Sequence, residues 1–347
     1  SLVDAAIVGK FLGINALASV GASTSVVFLI LGFCNGCCGG FGIPVAQKFG
    51  ARDYSTMRSY VAVSLKLAAG MSVVIALLTC ILCEDILRIM RTPENIFEGA
   101  YAYLLVTFIG VPCTFFYNLL SSIIRALGDS KTPFWFLLFA AVLNIILDLF
   151  CILVLDWGVA GAAIATGVAG CAAFLVASTH YWQKKGNLRV RPFKVQFVLL
   201  RKILLRGLPE MISETSVPLT AFSMNYMLIT YLGNASVNAF SAINYTCSLF
   251  ASLMWGLATG LQPLYGLSYG AKDDYSLHYY FRSGRRIALI GGLAIFALTF
   301  VIGAPICRLF GVDAASTPIV IASLPKFCLN FVFAAMSTVV SAYLYST

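Results

Sequence analysis

Four polar side chains interrupt apolar segments of the chain in a pattern that could bind a small cation. Asn144 and Asp148 are four residues apart, so on a helix they share one face. Thr166 lies on the segment that returns after a turn near Asp156, and Asp4 lies in a separate apolar segment. Carboxylate, amide and hydroxyl oxygens are ligands for hard cations, and a carboxyl group removed from water can instead carry a proton. These residues therefore suggest a functional site inside the apolar helices, with Asp4, Asn144, Asp148 and Thr166 as its candidate residues.

The composition indicates that the segments around these residues are membrane helices. Of 347 residues, 60% are hydrophobic and only 11% are charged, whereas about a quarter of a soluble domain is charged. Runs such as Ala68–Cys83 and Ala288–Ile306 are apolar on all sides and supply most of the roughly 20 residues of a spanning helix. Strands of an outer-membrane barrel would alternate apolar and polar residues instead. The sequence predicts an all-α polytopic membrane protein.

The apolar runs divide the chain into two predicted lobes joined by a basic linker. The N-terminal lobe covers 1–183, the linker 184–207, and the C-terminal lobe 208–347. The segment from Gln183 to Gly207 contains eight Lys or Arg residues and no acid. The predicted helices cover about 1–10, 17–46, 59–83, 100–127, 133–155, 159–182, 208–232, 237–265, 286–310 and 318–345.

This helix order places the polar residues at similar depth. Asp148 precedes the hairpin turn by about eight residues and Thr166 follows it by about nine, so at 1.5 Å per residue both lie roughly 12–14 Å below the membrane edge. An aspartate at the bilayer centre costs about 2.5–3.5 kcal/mol on insertion scales and is functional by default. Asn144 and Thr166 could equally do no more than join two helices.

The net charge of +9 is explained by membrane orientation and does not indicate a nucleic-acid partner. Most of the 23 Lys and Arg residues fall in the loops after the second, fourth, sixth and eighth predicted helices. Cytoplasmic loops of membrane proteins carry such an excess. We therefore predict a multi-pass protein of the plasma membrane, with these four loops in the cytoplasm and the hairpin turn at Asp156 facing outward.

An internal repeat relates the two lobes at a constant offset of 220 residues. Gly36 matches Gly256, and the loop Gly50–Asp53 (GARD) matches Gly270–Asp273 (GAKD). An offset that spans six helices predicts two parallel six-helix repeats, hence twelve helices in full. Asp4 maps onto Met224, beside Asn225, so the acid has no counterpart and the ion site should be asymmetric. Asn225 remains a possible secondary site residue.

Two further acids and a cysteine-rich segment are also considered as candidate site residues. Glu210 follows Gly207–Leu208–Pro209, and an acid in a first helical turn is favoured by the helix dipole. Glu214 lies one turn deeper, and we keep it as a possible secondary site residue. Cys34, Cys37 and Cys38 have metal-like spacing without a histidine or acid cluster. We therefore expect no metal site beyond Na⁺ at the four residues above, and no disulfide framework.

Several motifs together resemble the MATE (multidrug and toxic compound extrusion) transporters. They are VDAAIVGKFLG, the GARD and GAKDD loops, SSIIRALGDSKTP, NIILD followed by GVAGAAIAT, and GLP before the seventh helix. The resemblance implies two six-helix lobes and alternating access driven by an H⁺ or Na⁺ gradient. It also implies a cation site at Asp4, Asn144, Asp148 and Thr166. On this basis the chain is a fragment of about nine and a half helices, lacking most of helix 1 and helices 11 and 12.

The function expected from the resemblance is export of amphipathic organic compounds or drugs by a cation-coupled antiporter. The expected partners are small organic substrates and the lipid bilayer, the expected state is a monomer, and no cofactor is needed beyond the ion. A flippase for lipid-linked oligosaccharides is an alternative, but it would line its cavity with cations that here lie mostly in loops. A membrane-embedded enzyme is a remote alternative, since His180 and His278 have no matching catalytic partners.

Overall fold

A computed structural model describes residues 2–12, 14–90, 92, 94–183, 197–232, 234–309 and 317–347. Every regular element in these ranges is a helix. In chain order the helices are α1 (Leu2–Leu12), α2 (Ile14–Gly50), α3 (Tyr54–Ile81), α4 (Cys83–Ile89), α5 (Glu94–Ala126), α6 (Lys131–Leu153), α7 (Gly158–Gln183), α8 (Phe197–Leu232), α9 (Asn234–Ala271), α10 (Asp274–Leu309) and α11 (Thr317–Ser346).

Seven of the described helices are long and apolar enough to cross a membrane. Their outer faces are covered by exposed large apolar side chains such as Leu77, Ile109 and Ile290. In water such a surface would be unfavourable, but lipid tails are as apolar as these side chains. The all-α polytopic class predicted from composition is confirmed, and the chain is a multi-pass membrane protein.

The first of two compact units comprises residues 1–45 and 53–218. Within it α7 packs on both α5 and α6, and α1 packs on α6 and α7. The contact is close because the buried face of α7 is built from small residues, including Ala162 and Ala163. Together with Val8, Tyr103 and Ile152 they form a buried cluster that holds the polar residues of α1 and α6 in place.

The second unit comprises residues 46–52 and 219–347 and contains α9, α10 and α11 packed on one another. Its core includes Ile243, Leu324 and Phe331, with Tyr265 fully buried nearer the end of α9. The short segment 46–52 is the C-terminal end of α2, so one helix contributes to both units.

Two predicted helix starts in the second half of the chain are wrong. The helix expected to begin near residue 208 instead begins at Phe197 and runs unbroken to Leu232, so it includes the end of the predicted linker. The helix expected to begin near residue 286 instead begins at Asp274. Residues 184–196 of that linker lie outside the described part. Glu210 is consequently deep inside α8 and not in its first turn, which removes the helix-dipole explanation for this acid. The interval between the helices predicted over 59–83 and 100–127 contains the short helix α4.

The two copies of the repeated loop have the same backbone conformation. Arg52 and Lys272, which are equivalent in the repeat, adopt left-handed φ angles of 57° and 56°. Their N–H groups donate to the carbonyl oxygens of Phe49 and Tyr269 at 3.0 and 3.1 Å. The residue with the left-handed backbone is therefore the basic residue of each copy, Arg52 or Lys272. The glycine two positions earlier in each loop is not needed to supply a positive φ angle.

The aspartate of each loop begins the next helix. Asp53 accepts a hydrogen bond from the N–H of Thr56 at 3.2 Å, and Asp273 accepts one from the N–H of Ser276 at 3.0 Å. Both are N-caps, which satisfy an N–H that has no partner within the helix. The GA[RK]D motif thus ends one helix, turns the chain and starts the next in both repeats.

Replacing Asp273 by Ala is expected to lower thermal stability at neutral pH, and the loss should disappear in acid. The hydroxyl and N–H of Ser276 both donate to this carboxylate and lower its pKa below the usual value of 3.8. A group with a lowered pKa stabilises the fold above its usual pKa and loses this effect as pH falls through its folded value. The measurement is the melting temperature of wild type and variant in detergent between pH 7 and 3. A difference in melting temperature between wild type and variant that does not change with pH would contradict the role of the ionised Asp273 as the N-cap.

Candidate functional site

The centre of the candidate site is a pair of carboxyl groups inside the first unit. Asp148 on α6 is 0% exposed and Asp4 on α1 is 2% exposed. The two groups are close enough to interact electrostatically and through a hydrogen bond between their side chains. Apart from Asp4, neither oxygen of Asp148 has a hydrogen-bonding partner among the described residues. Two carboxyl groups can share a hydrogen bond only when one of them carries a proton, so the pair points to a proton that it holds or to a cation that takes the place of that proton.

Asn144 and Thr166 form a second pair, one helical turn from Asp148. The Asn144 side-chain amide donates to the Thr166 hydroxyl oxygen at 3.2 Å, and that hydroxyl donates to the carbonyl oxygen of Ala162 at 3.1 Å. Thr166 is exposed and Asn144 is half-buried. The bond joins α6 to α7, so both residues at least connect the two helices. The Thr166 hydroxyl therefore donates its hydrogen bond within α7 and accepts one from α6.

Tyr103 on α5 is a member of the site that sequence reasoning missed. It is buried, and its hydroxyl lies within electrostatic range of both Asp4 and Asp148. A tyrosine in an apolar helix usually indicates packing, so neither its type nor its spacing identified it. The available signal was the need of a buried tyrosine hydroxyl for a polar partner.

The arrangement of these groups suits reversible binding of a small cation or a proton. Two carboxylates that share a buried site cannot both remain charged at low cost, because their charges repel each other. A proton on one of them, or a cation between them, removes the repulsion. The hydroxyl of Tyr103 lies within electrostatic range of both carboxyl groups. Asp4 and Asp148 are therefore the centre of the candidate site, with Tyr103 as a further candidate residue.

Removing the Tyr103 hydroxyl by substitution with Phe is expected to weaken binding of the coupling ion about 3- to 10-fold, the effect of one neutral hydrogen bond. The ring remains, so packing within the core cluster should be retained. The measurement is the ion concentration that gives half-maximal transport, with the neighbouring half-buried Tyr101→Phe as the matched control. Equal values for the two variants would show that the hydroxyl takes no part in ion binding.

The two other acids considered from the sequence, Glu210 and Glu214, lie where α8 packs against α2 in the first unit. The half-buried carboxylate of Glu210 lies against Gly39, where a Cβ atom would come within 2.7 Å of its Cδ. Electrostatic neighbours of Glu210 include Arg125 near the end of α5. The carbonyl oxygen of Glu214 lies against Gly32. Neither acid is among the groups around Asp148. The side chain of Asn225 lies outside the described part of α8.

The cysteine segment of α2 contributes to packing in the first unit. Cys34, Cys37 and Cys38 are all buried, and the Cys38 thiol donates to the Phe115 carbonyl oxygen at 3.5 Å. Within the described residues no group of three or more His, Cys, Asp or Glu side chains has the geometry of a metal site.

Comparison with known proteins places this architecture in a family. The MatE family model matches residues 1–150 and 209–347, which include α1 and α6 with both buried carboxyl groups. The chain belongs to the MatE family. The resemblance inferred from the motifs is therefore confirmed, and the all-helical fold agrees with it.

Among the relatives of this MatE protein is the probable multidrug resistance protein YoeA of Bacillus subtilis. The two are 29% identical over 320 residues, which cover 89% of this chain and 68% of YoeA. A solved outward-facing structure of a multidrug resistance MATE family transporter of the MOP superfamily has a TM-score of 0.92 and 26% identity. It covers 99% of this chain and 77% of that chain. The corresponding inward-facing structure has a TM-score of 0.75 and 25% identity, covering 99% and 80%.

Proposed function

We propose that this MatE protein is an antiporter that exports amphipathic organic compounds and takes up H⁺ or Na⁺ in exchange. The observation that carries the proposal is the fully buried Asp148 beside Asp4, with no hydrogen-bonding partner for Asp148 other than Asp4 among the described residues. Membership of a family whose relatives are named multidrug resistance and multidrug export proteins supports the choice of substrate class.

The coupling step follows from the charge of the carboxyl pair. With the site empty, two adjacent buried charges repel each other and favour a conformation that admits water or an ion. Once a proton or Na⁺ has bound, the net charge of the carboxyl pair is smaller, so the free energy of burying the pair in the closed conformation is lower. An ion can shift a conformational equilibrium only through its different affinity for the two states, and this charge pair provides such a difference.

The asymmetry of the chain supports a single coupling site in the first repeat. Asp4 is equivalent to Met224 in the second repeat, which cannot bind a cation through a carboxylate. We propose that Asn144 and Thr166 belong to the same site as the neutral oxygen and amide groups next to the carboxyl pair. Their hydrogen bond also fixes the distance between α6 and α7 at this level.

The proposed orientation of the protein has the four basic loops in the cytoplasm. The location of Arg and Lys in these loops supports this orientation. Exported substrate would then be released on the side of the hairpin turn at Asp156.

The test is transport of a cationic dye by the full-length protein in liposomes under an imposed H⁺ gradient, Na⁺ gradient or neither. We expect gradient-dependent dye export with one of the two ions and uptake of that ion when dye is supplied on the opposite side. Dye movement that ignores both gradients would contradict antiport. A gradient response without any dye movement would contradict the proposed substrate class alone.

A further inference from the structure

One side of α10 carries a continuous exposed stripe that runs from aromatic residues through arginines to apolar residues. Its members are spaced by three or four positions and so lie on one helix face: Tyr275, Tyr279, Arg282, Arg286 and Ile290. All five are exposed, Tyr275 to 83% and Ile290 to 68%. Because α10 begins at Asp274 and not near residue 286, both arginines are held at a fixed spacing on a helix. These five residues are called the α10 stripe below.

The α10 stripe leads directly into the surface that contacts lipid tails. Ile290 is followed on the same face by the exposed Leu293, whereas the opposite side of α10 packs on α11 through the fully buried Ala288. Exposed apolar side chains of a membrane helix face lipid, because lipid tails are as apolar as they are. Arg286 directly precedes Ile287, where the apolar segment begins. The arginines of the stripe therefore lie at the level of the lipid headgroups.

The charge along α10 is positive beyond its first turn. From Tyr275 to Leu309 the chain contains no acidic residue. The carboxylate of Asp273, just before the helix, accepts hydrogen bonds from the N–H and hydroxyl of Ser276 at 3.0 and 2.6 Å. Arg285 lies on a different face, with its guanidinium carbon 5.3 Å from the centre of the Phe281 ring. An anion at the stripe would thus meet two arginines and no carboxylate from its own part of the helix.

The first repeat shows that the fold of this helix does not require the stripe. The helix equivalent to α10 is α3, in which the two tyrosines and two arginines are replaced by Ser55, Ser59, Ala62 and Lys66. Ala62 is buried, whereas its equivalent Arg282 is exposed. Both segments nevertheless form long helices. Neither helix formation nor packing therefore accounts for the aromatic and basic residues of α10.

The surroundings of α3 also show that the stripe is open to lipid. Within its unit α10 packs on α9 and α11, and its equivalent α3 packs on α4 and α5. Among the described residues α6 and α7 are not neighbours of α3. Helices of the second repeat that correspond to α6 and α7 would therefore leave the stripe accessible.

We propose that the α10 stripe binds one anionic phospholipid, with Arg282 and Arg286 on the headgroup phosphate and Ile290 against an acyl chain. Residues four apart on a helix are about 6 Å apart along its axis, so both guanidinium groups can donate charge-assisted hydrogen bonds to one phosphate. Tyr279 adds a hydroxyl and an amphipathic ring beside the headgroup. The arginines repel a choline group, so a lipid with a net negative charge is favoured.

Continuity with the lipid-facing surface favours a phospholipid over an acidic protein segment, because the acyl chains then continue along the same helix face. The site does not depend on the proposed antiport function, since it involves neither the carboxyl pair nor the transported compound. Its test therefore needs no transport measurement.

The test places a tryptophan beside the proposed acyl chain through the substitution Ile290→Trp in the full-length protein. The protein is reconstituted in bilayers of phosphatidylglycerol and phosphatidylcholine, and bromine atoms on the chains of one lipid at a time quench a neighbouring tryptophan. The unsubstituted protein gives the background from native tryptophans. We expect phosphatidylglycerol to be preferred at least about 10-fold at position 290, since each arginine near the surface contributes a factor of about 5. A preference below about 3-fold, less than the effect of one arginine, would overturn the proposal.

Phe139→Trp is the matched control for the position of the probe. Phe139 on α6 is also exposed, and the chain has no Lys or Arg from 132 to 146. Without a nearby cation, the two lipids should quench a tryptophan at this position equally to within about 2-fold. This comparison leaves every arginine in place. An equal preference for phosphatidylglycerol at positions 139 and 290 would show enrichment around the whole protein and would overturn a site on α10.

Charge removal in the Ile290→Trp protein identifies the arginines that bind. Arg286→Gln is expected to lower the preference for phosphatidylglycerol about 5-fold, and the double change Arg282→Gln with Arg286→Gln should abolish it. Arg285→Gln is the matched control, because it removes the same charge from a side chain that lies against Phe281 on another face. It should change the preference less than about 2-fold. Equal losses for Arg285→Gln and Arg286→Gln would reduce the effect to overall charge and overturn the site.

Discussion

Replacing Asp148 by Asn is expected to lower gradient-driven export on the order of 100-fold while the protein remains folded and still binds its substrate. Asn has nearly the same shape but cannot exchange a proton or carry the charge that attracts a cation. Coupling between two sites is typically worth about 1–3 kcal/mol, or roughly 5- to 150-fold, and this variant should lose most of it. The measurement is initial dye efflux in liposomes at fixed gradient.

The stability of the Asp148→Asn variant separates coupling from folding. Because the only partner of Asp148 among the described residues is the carboxyl group of Asp4, a negative charge on Asp148 does not stabilise this conformation. We expect the melting temperature to be unchanged or higher. Asp156→Asn is the matched control, since Asp156 is exposed at the turn of the same hairpin and its left-handed φ of 52° is one that Asn adopts readily. Undiminished coupled transport by Asp148→Asn would remove the ion-site assignment.

Replacing Gly36 by Ala is expected to destabilise the protein, whereas the same change at its repeat equivalent Gly256 is not. A Cβ atom on Gly36 would come within 2.5 Å of the Met211 Cα atom and 2.9 Å of its nitrogen, so α2 and α8 would have to separate. Overpacking of this kind costs typically about 1–3 kcal/mol. A Cβ atom on Gly256 meets nothing within 4 Å, and alanine is the better helix former by about 1 kcal/mol.

The comparison of Gly36→Ala with Gly256→Ala is made by thermal unfolding in one detergent, with dye binding as the check of the native state. The expected shifts in melting temperature have opposite signs, down for Gly36→Ala and level or up for Gly256→Ala. Shifts of the same sign and size would show that the two repeats pack alike at this position. They would also contradict the close approach of α2 and α8.

The class and most of the elements of this protein follow from its sequence. Every predicted helix is present, because a segment that spans the hydrocarbon must satisfy its own backbone hydrogen bonds and have apolar side chains, but α8 and α10 begin about a dozen residues earlier than predicted. The same constraint makes Asp4 and Asp148 conspicuous, since a carboxyl group in such a segment is costly unless it has a use. The start of α8 was missed because a basic amphipathic turn can continue a helix beyond the membrane edge.

The neighbours of each residue were decided only by the tertiary structure. Sequence spacing placed Asn144 and Asp148 on one helix face, but it could not show that Asn144 bonds to Thr166 or that Tyr103 lies within electrostatic range of both carboxyl groups. Nor could it distinguish Gly36, which is pressed against α8, from the equivalent Gly256, which is open. The physical reason is that lipid is as apolar as a protein core, so a hydrophobic pattern identifies a membrane helix without showing which face meets lipid and which meets another helix.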